Sequence, residues 1–93
     1  MNCYWQNASK EFLTSIFNYF PGRINTFEVS RVHDGNEVAA VVNYGEIFQS
    51  PAQEIIAQLE KNDFLIINLI NVTMDDGTTR VLTPLLFRIL NND

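Results

Sequence analysis

One cysteine and one histidine, Cys3 and His33, are all that this 93-residue chain has of either residue. A single cysteine excludes an intrachain disulfide, so no oxidising compartment is implied. Together the two fall short of the roughly four ligands that a structural zinc site requires. Positive charge is also scarce. The six basic residues (Lys10, Arg23, Arg31, Lys61, Arg80 and Arg88) are scattered and outnumbered, leaving a net charge of −5. A nucleic-acid backbone or an anionic membrane surface is therefore excluded as the main partner. No run approaches the ~18 apolar residues of a membrane span. The four glycines, Gly22, Gly35, Gly45 and Gly77, stand apart and build no phosphate-binding loop. The opening Met-Asn-Cys-Tyr-Trp-Gln lacks the basic start and apolar core of a signal peptide, so a cytoplasmic protein is expected. In that setting the sequons Asn7-Ala-Ser9 and Asn71-Val-Thr73 read as accidental.

What the chain does have is apolar bulk: 46% hydrophobic residues against 18% charged. That balance predicts a single globular domain over 1–93, near the size at which one core is just sufficient. The richest segment is Phe64-Leu-Ile-Ile-Asn-Leu-Ile-Asn-Val72. Strict alternation puts Phe64, Ile66, Ile70 and Val72 on one face of a strand and Leu65, Ile67 and Leu69 on the other. One face would pack on this chain's own helices. The second would need a partner. Asn68 and Asn71 interrupt the run and need hydrogen-bond partners if buried.

Residues 7 to 20 carry Phe12, Leu13, Ile16, Phe17 and Phe20 at helical spacing, with Pro21-Gly22 as the stop. Ile24 to Tyr44 reads as a hairpin around Asp34-Gly35, a type I′ turn pair. That turn predicts the pairs Phe27–Val42, Val29–Ala40 and Arg31–Val38 on the covered face. Glu28–Val41, Ser30–Ala39 and Val32–Glu37 follow on the other. Ser50-Pro-Ala-Gln53 has the form of a capping box and opens a second helix. Its stripe is Ala52, Ile55, Ile56 and Leu59, with Asn62 as a left-handed stop. A second hairpin turns at Asp76-Gly77, with strands from Phe64 to Met74 and from Thr79 to about Leu90. Pro84 marks a bulge there, and Thr83-Pro84 is also a fair helix start. Tyr4-Trp5 is a candidate short strand. The expected fold is α+β in the order α-β-β-α-β-β: two hairpins in one antiparallel sheet, with both helices on one face.

Chemistry is thin. His33 beside Asp34 lacks the base–orienter set of a nucleophilic site and reads as an exposed strand end. Asp75-Asp76-Gly77 lacks the spaced oxygen ligands of a calcium loop and reads as a turn. Nothing gathers Glu46 with Glu54, or Glu28 with Glu37, into a cleft. Arg80 and Arg88 lie among apolar residues and either snorkel to the sheet rim or pair with a carboxylate. No catalytic residue, metal or cofactor is expected.

The aromatic residues point instead to binding. Tyr4, Trp5, Tyr19, Tyr44 and Phe48 fall at element ends or off the apolar stripes, and Ile47 and Phe48 are too apolar for an idle connection. These six are the candidate partner-binding residues. Leu65, Ile67, Leu69 and Leu82, with Leu86 beside them, are the candidate face for a homodimer. The function expected is steric binding of a protein partner with a basic surface, in the manner of an inhibitor, an immunity protein, an adaptor or a small protein of phages or mobile elements. The alternative is a small enzyme or ligand-binding protein. Its pocket would lie between sheet and helices or across a dimer interface, near His33, Tyr44 or Arg88.

Overall fold

The computed structural model describes residues 6–8, 13 and 22–90. Strands run β1 (Gln6–Ala8), β2 (Arg23–His33), β3 (Asn36–Tyr44), β4 (Phe64–Thr73), β5 (Thr79–Leu82) and β6 (Leu85–Ile89), with helix α1 (Ser50–Ala57) between β3 and β4. The spatial order is β1-β6-β4-β2-β3, with β5 also paired to β4. Strands β2 to β6 form an antiparallel sheet and β1 joins β6 in parallel. The α+β class is therefore as expected, but the order differs at the start. Asn7 and Ala8 belong to a strand rather than to the beginning of a helix. The remainder of the expected first helix lies outside the described residues except Leu13, which is helical and fully buried. The proposed strand at Tyr4-Trp5 also lies outside them.

The first hairpin closes as its turn residues dictate. Asp34 and Gly35 have φ of 51° and 80°, the positive pair that a type I′ turn requires. Val32 pairs with Glu37 as expected. One residue further, Val38 is an extra residue on β3, and every later pair slips by one, giving Phe27 opposite Asn43 and Val29 opposite Val41. The slip turns β3 over. Ala40 and Val42, expected under the helices, face solvent, while Ala39 and Val41 pack against the core.

A second slip explains the apolar run of β4. Leu69 adopts φ of 50°, and its N–H is held by the Asn68 Oδ1 at 2.8 Å. Against β2, three steps from Asn68 to Asn71 match only two from Glu28 to Thr26, so Leu69 and Ile70 together stand opposite Phe27. Leu65 and Ile67 before the bulge, and Ile70 and Val72 after it, therefore all point into one core. The change of phase brings Ile70 and Val72 to the core face of Leu65 and Ile67, while Phe64 and Ile66 stand half-buried on the opposite face. Leu65 and Ile67 have no exposed surface, so they cannot contribute to an outer dimer face as expected. Leu69 is exposed, Leu82 is half-buried against the core and Leu86 is half-buried.

The return strand is broken at Thr83-Pro84 but keeps its register on both sides, so Pro84 stands opposite Asn68, where pairing is already interrupted. The strand reading of Leu85–Ile89 holds over the helical one. Asp76 Oδ1 accepts from the Thr78 N–H and Oγ1 at 3.0 and 2.7 Å, which fixes Asp75-Asp76-Gly77 as a turn.

Helix α1 lies against β3 and β2 and contributes Ala52, Ile55 and Ile56 to the core that also holds Phe27, Val29, Leu65 and Ile67. Its cap differs from the capping box. Gln49 is the N-cap without a side-chain bond, and Gln53 reaches back to the Phe48 carbonyl at 2.8 Å. The helix ends at Ala57 with Gln58 as its C-cap, short of Leu59 and of the stop expected at Asn62. The φ of 73° at Asn62 belongs to the separate turn before Asp63.

Candidate functional site

Two side-chain arrangements distinguish the ends of the first hairpin. At the far end, β3 runs out through Tyr44 into a short loop leading to α1. Asn43 is 1% exposed and its amide organises that loop. Its Nδ2 donates to the Ile47 carbonyl at 2.9 Å and to the Gly45 carbonyl at 3.3 Å, and its Oδ1 accepts from the Gln49 N–H at 2.7 Å. Gln49 answers with its own side chain, whose Oε1 accepts from the Tyr44 N–H at 3.1 Å. Gly45 N–H bonds back to the Asn25 carbonyl at 2.7 Å. Five hydrogen bonds thus fix the backbone between Tyr44 and Gln49.

This braced loop presents apolar surface. Ile47 is 78% exposed and Tyr44 66%, with Val42 at 46% on the same outer face of β3. Glu46 lies between the two anchors in sequence, and Glu28 is the cross-strand neighbour of Val42. The corner is therefore apolar at its centre and acidic at its margin. Phe48 departs from expectation. It is 6% exposed and packs its ring against Phe27 at 5.2 Å, as a core residue that anchors the loop from beneath. Tyr4, Trp5 and Tyr19 lie outside the described residues.

The other end of the hairpin holds a polar cluster. Asp63, 2% exposed, precedes β4 and accepts from three directions. The Arg31 Nε reaches its Oδ2 at 2.9 Å, His33 Nδ1 donates to its Oδ1 at 2.6 Å, and the Glu60 N–H donates to Oδ2 at 2.8 Å. Arg31 Nη2 also meets Glu60 Oε2 at 3.1 Å. Burial pushes the Asp63 carboxyl up, but the His33, Glu60 and Arg31 hydrogen bonds outweigh it and hold the group below its ordinary range. The hydrogen bond to Asp63 raises the His33 imidazole above its ordinary value.

His33 is therefore more than an exposed strand end; its ring is oriented by a buried carboxylate, the relation a general base would need. Its second nitrogen, however, faces Asp34 Oδ2 at 3.5 Å rather than a hydroxyl or thiol. His33, Glu60 and Asp63 also bring three potential metal-ligand atoms within 4.8 Å of one another. Arg31 already bridges both carboxylates, so a guanidinium occupies the electrostatic role that a cation would take. The cluster is built as a clamp joining the hairpin to the segment between α1 and β4. Asp63 extends that clamp, since its carbonyl accepts from the Ile89 N–H at 2.9 Å.

Of the residues near which a pocket was expected, Tyr44 lies at the opposite end of the hairpin from His33. Arg88, by contrast, donates to the Asn62 Oδ1 at 3.0 Å, next to the Asp63 that holds His33. An open, polar depression of about 560 Å³ adjoins the Tyr44 end, between Gly22, Arg23, Asn25, Glu46, Thr73, Met74 and Asp75. The two asparagines of β4 are satisfied, Asn71 through the Asn25 amide at 2.8 Å.

Sequence reasoning missed Asn43 and Asp63. Each is a short polar residue at the end of an apolar element, a signal that also marks ordinary turns. No helix among the described residues is long and apolar enough to cross a membrane. Comparison with protein-family models, curated proteins and solved structures gave no match.

Proposed function

We propose that this chain is a small acidic interaction module of the cytoplasm that binds a partner protein through the corner formed by Tyr44 and Ile47, and acts by occlusion rather than by chemistry. The carrying observation is the combination of an Ile47 side chain 78% exposed and a backbone fixed beneath it by the buried Asn43. A large apolar residue that merely caps a loop gains nothing from exposure. One held rigidly has already lost the freedom that binding would otherwise remove, and it docks at lower entropic cost. Tyr44 adds a flat ring with a polar tip, the residue type enriched at binding hot spots. The acidic margin of Glu46 and Glu28 suits a partner whose pocket is apolar and rimmed by basic groups, with charge steering the encounter.

Affinity capture from cells that express the protein tests this reading. The chain would be immobilised as wild type, as the double variant Tyr44→Ala/Ile47→Asp, and as His33→Ala. A specific partner retained by wild type and by His33→Ala but lost from the double variant supports the corner. Retention by all three, or loss from His33→Ala alone, rejects it.

A further inference from the structure

The edge of the sheet carries an inference independent of the corner. Among the described strands β3 is an edge, paired on one side only. The Tyr44 N–H points away from β2 and is met by the Gln49 side chain, whereas the next N–H, of Gly45, bonds back toward β2. Backbone groups alternate along a strand, so those of Val42 and Ala40 share the outward direction of Tyr44. Their side chains are exposed as well, and from Val38 to Tyr44 the strand contains no charge and no proline. Natural edges are guarded by lysine, proline or bulges. Here the bulge at Val38 and the Gln49 cap on Tyr44 bracket the strand, and among the described residues no strand pairs with the outer side of the stretch between them.

We infer that β3 pairs antiparallel with β3 of a second copy about a two-fold axis at Val41, joining two sheets into one. The partner is a second copy because this stretch is complementary to itself. An antiparallel pair must match outward-directed residues with outward-directed ones. Centring on Val41 sets Ala40 against Val42 of the other copy, and Val42 against Ala40, which are the two residues with outward groups inside the bracket. Val38 then faces Tyr44, apolar against aromatic, while Glu37 faces Gly45 and Glu46 faces Asn36. No acidic side chain stands opposite another, which is a condition that a chain of net charge −5 meets only in particular registers. A foreign strand could use the same edge, but nothing in β3 selects one. The dimer leaves Ile47 beyond the paired stretch and so carries two corners.

Sedimentation at micromolar concentration tests the inference, with Ala40→Pro and Val42→Lys as variants. Proline suits position 40 because that N–H makes no bond to β2, and lysine suits position 42 because the side chain is exposed, so both should retain the wild-type circular dichroism. Wild type is expected to sediment at twice the 10.7 kDa chain mass, and both variants at the single mass. A wild-type monomer, or a dimer that survives both substitutions, overturns the inference. The axis is tested by Val41→Cys in a Cys3→Ser background. Residue 41 would face its own copy in a non-hydrogen-bonded pair, with Cα atoms about 4.5 Å apart, within disulfide reach. Mild oxidation should give a covalent dimer, and its absence rejects this register. Ile47→Asp should leave the dimer intact, so failure of the edge and failure of the corner are read separately.

Discussion

His33 Nδ1 lies 2.6 Å from Asp63 Oδ1, so the hairpin tip is tied to the buried carboxylate that precedes the central strand. The pair links residues 30 positions apart, and Arg31 on the same strand grips the other oxygen of the same carboxylate at 2.9 Å. The ordered hairpin and the ordered α1–β4 connection are therefore one mechanical unit, and its strength depends on charge.

A pH dependence follows. The native fold favours protonated His33, whose pKa is raised above 6.5, so its contribution is complete below that value and is lost as pH rises through the folded pKa. Asp63 is lowered below 3.8, so its contribution is present above that value and is lost as pH falls through the folded pKa. The cluster is most stabilising between the two ordinary values. Thermal melting should show a falling midpoint as pH is raised from about 6 to 8. The slope should shrink in His33→Ala. An unchanged slope in that variant would remove His33 as its source.

Gly22 and Gly35 have nearly the same φ, 79° and 80°, but different surroundings. A Cβ on Gly22 would lie 2.6 Å from the Thr73 carbonyl oxygen, whereas one on Gly35 meets nothing within 4 Å. Gly35→Ala therefore carries backbone strain alone, about 1 kcal/mol. Gly22→Ala adds a clash with backbone that cannot rotate away, for a total of about 3 kcal/mol. Denaturant unfolding of the two variants measures the difference, and equal losses would contradict the close approach of Gly22 to β4.

Much of this fold is legible in the residues. Asp34-Gly35, Pro51 and Asp76-Gly77 each impose a local geometry that little else satisfies, and the elements they delimit are found at those places. What the residues do not announce is phase. Val38 and Leu69 look like ordinary strand positions, yet each is an extra residue that reverses every side chain beyond it. A leucine at positive φ carries no signature, because the bulge is imposed by the core that Ile70 and Val72 enter rather than by any preference of Leu69 itself. Misreading that phase places Leu65 and Ile67 on an outer face. The corner was partly visible in Tyr44 and Ile47 as apolar residues in a connection. Asn43, which positions them, is recognisable only once its partners across the loop are seen.

Asn43→Ala provides the matching test of the brace. It leaves the Gln49 N–H and the Ile47 carbonyl without their partner, at a cost of about 2 kcal/mol. The loop should exchange its amide protons faster, while β2 and β4 retain theirs. If the 44–49 amides kept wild-type protection, Asn43 would not be what holds them.

The central claim, that the Tyr44–Ile47 corner is the partner-binding surface, is tested most directly by photo-cross-linking from position 47. A photoreactive residue replacing Ile47, compared with one replacing Gln58 on the exposed side of the α1 C-terminus, would be irradiated in cells that express the protein. A discrete adduct is expected from position 47, reduced at least tenfold by Tyr44→Ala (a loss of about 1.4 kcal/mol in binding), and none from position 58. An adduct from position 58 alone, or from neither position, would contradict the claim.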